Sequence, residues 1–382
     1  MTDRPVLGHL DHLDETRLES FRTRLVREVE GGILPSCQAA VGLGGEIVWS
    51  ETFGDAGDDT RYVIFSCTKA LIAGLTWQLF AEGACSPDDP VVRHLDWFGA
   101  NGKDAVTIGQ LLMHTSGFPH APLGPPEWET KESRRVRMAS WRLNWEPGTQ
   151  FEYHPTSAHW VLAEIIEALD GRPCGASLRT RITEPLGLAS TALGVPPDEQ
   201  GDIATLIDVG TAPSPEELAE ILGVAFELGE VTPESLLHFN RAEIRAVGVP
   251  GGGGVSNAVD LCRYYQALLH NPGGLWEPAW LADGTGNVRN NYPDPMLGHE
   301  ARRTLGLTVA GDDGKSFMRG FGHTVSPRAF GHNGAAGQIA WADPETGLSL
   351  VYLTNGVDRD VIRESRRTSG IASRAALLTT PP

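Results

Sequence analysis

Two kinds of hydrophobic pattern follow one another along this chain, and their order outlines a fold. Between residues 14 and 30, Leu18, Phe21, Leu25, Val26 and Val29 recur at helical intervals, which predicts an amphipathic helix. Gln38 to Phe53 read as two strands that turn at Gly44-Gly45. From Leu71 to about Val247 the apolar positions keep helical spacing, and Pro- and Gly-rich loops separate the segments. The clearest is 156–170, where Ala158, Val161, Leu162, Ile165, Ile166 and Leu169 make one stripe. Thr156 or Ser157 can cap its start and Gly171 closes its end.

After Gly251-Gly252-Gly253-Gly254 a capped helix is predicted from Ser256 to Leu269, then strand-like segments at 304–310, 338–343 and 348–354. Asp343-Pro344-Glu345-Thr346-Gly347 reads as the turn between the last two. Arg363 to Leu378 returns to a helical pattern. Strands at both ends with helices between predict an α+β fold. One antiparallel sheet, flanked by helices, is built from residues 1–75 and 251–382, with a mainly helical domain, 76–250, inserted.

Composition removes several classes of function. The 382 residues carry 31 basic and 49 acidic side chains, a net charge of −18. That charge repels phosphate backbones and anionic lipid, so neither nucleic acid nor a membrane is expected as a partner. The five cysteines are scattered and form no C-x-x-C pair, which suggests free thiols in a reducing compartment. The opening MTDRPVLGHLDHLDETRLES has no apolar run of signal-peptide length. Nor does any stretch approach the ~18 apolar residues that span a bilayer. A cytoplasmic protein is the expectation, with its oligomeric state left open.

The chemistry starts at Ser66-Cys67-Thr68-Lys69. At i and i+3 of a helix, side chains share a face and stand about 5–6 Å apart at Cβ, so a hydroxyl and an amine there can share a proton. The following ALIAGLTWQLF, Ala70 to Phe80, is apolar on almost every side and belongs in the interior. Burial disfavours an ammonium, which brings Lys69 toward the range where its neutral amine is a base. Cys67 points about 100° away from its neighbour and reads as core packing.

A second constellation, Glu146 to Tyr153, is a turn and an extended piece that delivers a tyrosine just before the helix at 156. A phenol beside an ammonium can be pushed toward phenolate and act as base, then acid. The third is Gly331-His332-Asn333-Gly334-Ala335-Ala336-Gly337, ahead of a segment of alternating character. Small residues there let a substrate lie along a strand edge, and the N–H groups of Ala335 and Ser66 can face a reacting carbonyl oxygen. Such donors are worth about 3 kcal/mol each.

Together, in this order, the three pieces resemble the serine β-lactamase and penicillin-binding-protein superfamily. The likeness is to its class C branch, which includes family VIII carboxylesterases and D-alanyl-D-alanine carboxypeptidase-like enzymes. It runs from roughly Leu18 to Gly356, and Leu111 to Phe118 (LLMHTSGF), Pro250 to Asp260 (PGGGGVSNAVD) and Gly331 to Asn355 support it. The resemblance implies a β-lactamase-like fold with Ser66 as acylated nucleophile, Lys69 as its proton partner and Tyr153 as general base. It also implies that His332, with Asn333, Gly334 and Ala335, shapes the substrate and oxyanion side of the pocket. No metal or organic cofactor is implied.

Departures from the pattern carry information. The Tyr-x-Asn element reads Tyr153-His154-Pro155, so the asparagine that in the family donates to the side-chain amide of β-lactams is absent. An amide left unpaired there costs on the order of 1–3 kcal/mol, whereas an ester needs no such contact. His154 and His114 read as structural. Trp128, Trp141 and Trp145, with the run Pro119 to Pro126, fit either an acyl pocket or a helical core. The expectation is a serine hydrolase acting on small-molecule esters through an acyl-enzyme. β-Lactamase, D-aminopeptidase or DD-peptidase-like amide hydrolysis and acyl transfer are the alternatives, and a silent binding protein is a distant one.

Overall fold

The computed structural model describes residues 13–222, 229, 231–296 and 298–379. The reading of the first residues as lacking a leader lies outside them. The first helix, α1 (Glu15–Glu30), begins where the Asp14 carboxylate accepts the Arg17 N–H. Its apolar stripe buries Phe21 and Leu25. Strands β1 (Ser36–Leu43) and β2 (Glu46–Gly54) follow as a hairpin around Gly44 and Gly45, both with positive φ, a conformation glycine adopts without steric cost.

The remaining strands are β3 (Tyr62–Val63), β4 (Ala192–Leu193), β5 (Ile207–Val209), β6 (Gly254–Ser256), β7 (Thr308–Val309), β8 (Phe330–Gly331), β9 (Ile339–Asp343), β10 (Leu348–Thr354) and β11 (Gly356–Asp358). The main sheet runs β2-β1-β10-β9-β8-β7, antiparallel throughout, so both ends of the chain build it as the pattern predicted. Two small sheets, β3-β6-β4 and β11-β5, fall outside that prediction. Their strands are two or three residues long, too short for a hydrophobic period to show.

The period of two in a strand sorts the main sheet into two cores. Ala39, Val41, Ile339, Trp341, Leu350 and Tyr352 face α1 and the C-terminal helix Val361–Ala375. Ala40, Ala340, Ala342, Val351 and Leu353 face the other way, toward the helix Ala258–His270 and α2 (Thr68–Ala81). Strand β9 is therefore buried on both faces, and the alternation expected there is one of large and small side chains rather than of apolar and polar.

Helix α2 runs through the larger core, and every residue from Thr68 to Phe80 is buried, as its all-round apolar sequence requires. Neighbouring polar tips are satisfied against its backbone: Tyr264 donates to the Ala70 carbonyl at 2.7 Å and the Trp276 indole to Gly74 at 2.8 Å. Three predicted boundaries shift. The helix after the glycine run starts at Ala258 and is capped by Asn257, because Ser256 is paired in β6. Thr156 precedes its helix without a side-chain capping bond, and the Ser157 hydroxyl donates to the Phe118 carbonyl instead. Of 304–310 only Thr308–Val309 is strand, since Thr304 folds back on Leu307 around Gly306, whose φ is +110°.

Candidate active site

Ser66 sits in a single tight turn, Phe65–Cys67, that feeds directly into α2. Phe65, just before it, has φ of +43°, a conformation that costs a residue bearing a Cβ roughly 1–3 kcal/mol. The strain is held from several sides. Ile64 pairs with Gly254 of β6 at 2.9 Å, the Thr68 hydroxyl donates to the Phe65 carbonyl at 2.6 Å, and the Gly254 N–H donates to that same hydroxyl at 3.0 Å.

Two side chains reach the Ser66 oxygen. The Lys69 amine is 3.1 Å from it, and the Tyr153 hydroxyl donates to it at 2.8 Å. Lys69 is itself fully buried, and its Nζ also donates to the carbonyls of Pro155 at 2.7 Å and Gly251 at 2.5 Å. A neutral amine has two N–H groups and one lone pair. The two carbonyls take the N–H groups, which leaves the lone pair for the Ser66 hydroxyl.

Electrostatics favour that neutral state. Burial pushes the Lys69 amine well below the ordinary lysine range, and the nearby Arg303 guanidinium pushes it further. Burial acts the opposite way on Tyr153 and raises its phenol to about 12, against smaller lowering effects of the Ser66 hydrogen bond and Arg303. The expected drift of Tyr153 toward phenolate is therefore corrected, because loss of solvent outweighs the cation beside it. Burial thus biases the pair toward an amine that can accept a proton and a phenol that can give one.

The glycine-rich third segment closes the site from the other side. A Cβ on Gly334 would lie 2.4 Å from the Ile64 carbonyl oxygen, so this turn packs against the backbone leading into Ser66. Ala335 is half-buried in the turn bridged by Gly334 and Gln338. Among the described residues neither its N–H nor that of Ser66 has a protein acceptor, as an oxyanion pair requires.

His332 is buried, its ring centroid 6.0 Å from that of Tyr153. Burial, helped by Arg303, pushes its pKa well below the ordinary histidine range, with Nδ1 against the Asn333 carbonyl at 2.9 Å. Asn333 is a correction. Its amide nitrogen donates to Gly320 at 2.8 Å and its oxygen accepts from Ala340 at 2.9 Å, so the side chain ties a loop to β9 and is not free for substrate.

His154 and His114 are structural, as expected. His154 has Nδ1 2.6 Å from the Glu152 carbonyl and accepts the Phe118 N–H at Nε2, while His114 accepts the His154 N–H at 3.1 Å. Cys67 is buried, and so is Trp141, whose indole donates to the Pro122 carbonyl. Trp128 packs on the core against Trp160, and Trp145 stands over His154.

Sequence reasoning missed three contributors. The carbonyls of Pro155 and Gly251 act through main-chain atoms, which no side-chain motif announces. Arg303 lies far from the motifs in sequence, yet its guanidinium carbon is 5.4 Å from the Tyr153 ring centroid. A cavity of about 950 Å³ lined by Arg61, Trp160, Cys174 and Leu178 contains none of these residues. Its charges are spent in pairs such as Arg134–Glu164 and Arg61–Asp202.

Comparisons with known proteins bear on the chain as a whole. The family described as Beta-lactamase matches residues 21–372. The esterase/beta-lactamase LipL of Mycobacterium tuberculosis (strain ATCC 25618 / H37Rv) is 26% identical over 314 residues, covering 78% of this chain and 70% of that one. A penicillin-binding protein homolog from Caulobacter crescentus superposes with a TM-score of 0.77 at 28% identity, over 95% of this chain and 98% of that one. A family VIII carboxylesterase has the same fold, with a TM-score of 0.76 at 22% identity over 95% and 98% of the two chains.

Proposed function

The chain belongs to the Beta-lactamase family, and from that membership we propose that it hydrolyses carboxylic esters through an acyl-enzyme on Ser66. The observation that carries this reading is the convergence of Lys69 and Tyr153 on one hydroxyl, at 3.1 and 2.8 Å. Ser66 Oγ attacks the ester carbonyl and its proton passes to the Lys69 amine. The N–H groups of Ser66 and Ala335 hold the oxygen that becomes negative. As the intermediate collapses, Tyr153 gives its proton to the departing alkoxide and recovers one from Lys69. Water then attacks the acyl-enzyme by the same route in reverse and releases the acid.

Esters rank above amides because of Pro155. A proline at this position has no side-chain donor for a substrate amide, while its carbonyl still orients Lys69. The likeness to a penicillin-binding protein homolog supports a second reading, amide or lactam hydrolysis by the same serine. A panel of p-nitrophenyl esters of increasing chain length, a chromogenic cephalosporin and a D-amino-acid amide, run on wild type and Ser66→Ala, separates the two. Ester turnover faster than cephalosporin turnover, lost together with fluorophosphonate labelling in Ser66→Ala, is the expected result. The reverse ranking overturns the ester reading, and labelling that persists at another residue overturns Ser66.

A further inference from the structure

Arginines from the two terminal helices meet in one cleft of an acidic protein. Arg366, Gly370 and Arg374 recur every four residues of the C-terminal helix Val361–Ala375 and share one face of it, while Arg24 and Arg27 stand three apart on α1. Together with Thr211, Pro213 and Glu217 they line a cleft of about 810 Å³. It lies in the helical layer across the main sheet from α2 and shares no residue with the serine site.

Gly370 brings the charges together. Glycine inside a helix is costly relative to alanine, and here its missing Cβ makes room. A Cβ at 370 would lie 3.3 Å from Arg24 Nε and 3.5 Å from Arg374 Nη1, so two cations converge on one bare stretch of backbone. Arg374 is steadied by the Gly370 carbonyl, which accepts its Nη1 at 3.0 Å. Arg24 is held by Glu28, which takes its Nη1 at 2.8 Å. Glu28 also stands 3.6 Å from the buried Arg367, so it is already shared between two cations.

The other carboxylates of the cleft have work of their own. Glu217 accepts the Ser214 N–H, and Asp360 caps its helix by accepting the N–H groups of Ile362 and Arg363. Arg363, which also lines the cleft, is forked onto Asp358. Arg27, Arg366 and Arg374 are exposed and in no ion pair among the described residues. Five arginines thus line the cleft against Glu28, Glu217 and Asp360, in a chain whose net charge is −18.

We infer that this cleft binds a small oligophosphate, a molecule with two or three linked phosphate groups, and that Arg24, Arg27, Arg366 and Arg374 hold it. A guanidinium presents paired N–H groups that match phosphate oxygens, and several linked phosphates answer several converging guanidinium groups. Long polyanions fit badly. A nucleic acid or an anionic bilayer that reached these arginines would also meet the acidic remainder of the surface. Ile33 and Ile362, in the same cleft, offer an apolar wall to the organic part of a nucleotide. The shared chemistry is the phosphate chain, free or carried by a nucleoside.

Isothermal titration of the full chain with tripolyphosphate, metal-free ATP and orthophosphate, all at one ionic strength, tests it. Tripolyphosphate and ATP should each bind at least tenfold more tightly than orthophosphate. Equal affinity for the first two supports recognition of the phosphate chain alone, and tighter ATP supports a nucleotide whose base rests on Ile33 and Ile362. Arg366→Gln/Arg374→Gln should weaken tripolyphosphate binding tenfold or more, and Arg27→Gln, from the facing helix, should weaken it severalfold. Arg142→Gln/Arg328→Gln removes the same charge from exposed positions elsewhere and should change the affinity less than twofold.

No binding of tripolyphosphate at millimolar concentration, or equal losses in the two double variants, overturns the site. Tighter binding of anionic vesicles or single-stranded DNA than of tripolyphosphate, lost in Arg366→Gln/Arg374→Gln, overturns the small-anion occupant. Should that double variant fail to fold, Arg27→Gln and the wild-type preference over orthophosphate still decide it.

Discussion

The Gly251 carbonyl oxygen lies 2.5 Å from Lys69 Nζ, and only a glycine at that position lets it come so close. A Cβ there would stand 2.8 Å from the Pro155 carbonyl oxygen and 3.1 Å from Thr156 Cα. The Gly251 Cα therefore packs against the Pro155 carbonyl, with no room for a methyl group. Gly251→Ala should displace one or both carbonyls and turn the lone pair of Lys69 away from Ser66. A misplacement of this kind costs about 10²-fold in rate. The expected outcome is a fall of that order in kcat with little change in KM, measured on a p-nitrophenyl ester. Wild-type kcat in Gly251→Ala would show that the carbonyl does not position the base.

The protonation state of Lys69 sets the acid limb of activity. Its amine is active when deprotonated, and its folded pKa lies well below the ordinary 10.5. Activity should therefore rise as pH climbs through that lowered value, well before the ordinary lysine range. The alkaline limit comes from Tyr153, whose phenol is held up to about 12 and must keep its proton to serve as acid. Lys69→Arg places there a cation that cannot deprotonate. It should lose roughly 10²–10⁴-fold, the usual contribution of a general base. A pH profile of kcat/KM from 5 to 10 checks this, and a wild-type acid limb near 10 would contradict the neutral amine.

How much of this was legible in the sequence follows from which atoms do the work. On the proposed reading Ser66, Lys69 and Tyr153 act through side chains in fixed local settings, so their motifs exposed them. The main sheet was legible for the same reason, since β1, β2, β9 and β10 are long enough to carry a period. The carbonyls of Pro155 and Gly251 have no side-chain signature, although the run of glycines at 251–254 marked a place where backbones approach closely. Asn333 was misread because its residue type suits both a ligand and a brace, and only its partners, Gly320 and Ala340, decide. Arg303 was invisible because it reaches the site by tertiary packing alone.

Four buried histidines make stability depend on acid. Burial lowers the pKa of His114, His159 and His332 well below 6.5 and brings His154 to about 3. Above about 6.5 these rings are neutral in both folded and unfolded chains and add no pH dependence. Below it the unfolded chain binds protons that the fold excludes, so stability falls as pH falls, by about 1.4 kcal/mol per pH unit for each ring. Thermal midpoints measured between pH 7.5 and 5 should drop steeply below 6.5. His159 has no partner at either ring nitrogen among the described residues, so His159→Leu removes its titration without breaking a hydrogen bond. That variant should flatten the slope by about a quarter, and an unchanged slope would show that His159 titrates normally in the fold.

Pro155 offers a test of the proposed ranking of esters above amides. Its carbonyl already holds Lys69 at 2.7 Å through a main-chain atom, which any residue can supply. Its ring supplies no donor to a substrate amide. Pro155→Asn adds that donor while retaining the carbonyl, so the base stays placed and amide recognition gains a hydrogen bond. One such bond in a desolvated site contributes on the order of 1 kcal/mol, about fivefold. The ratio of cephalosporin to p-nitrophenyl ester kcat/KM should therefore rise by about that factor, with ester turnover similar to wild type. Proline also restricts the preceding residue to extended conformations, and His154 sits there with its ring nitrogens engaged by Glu152 and Phe118. Those contacts hold His154 in place when the restriction is lifted, so ester kcat serves as the internal control. If the ratio stays flat while ester kcat is preserved, the missing asparagine is not what disfavours amides.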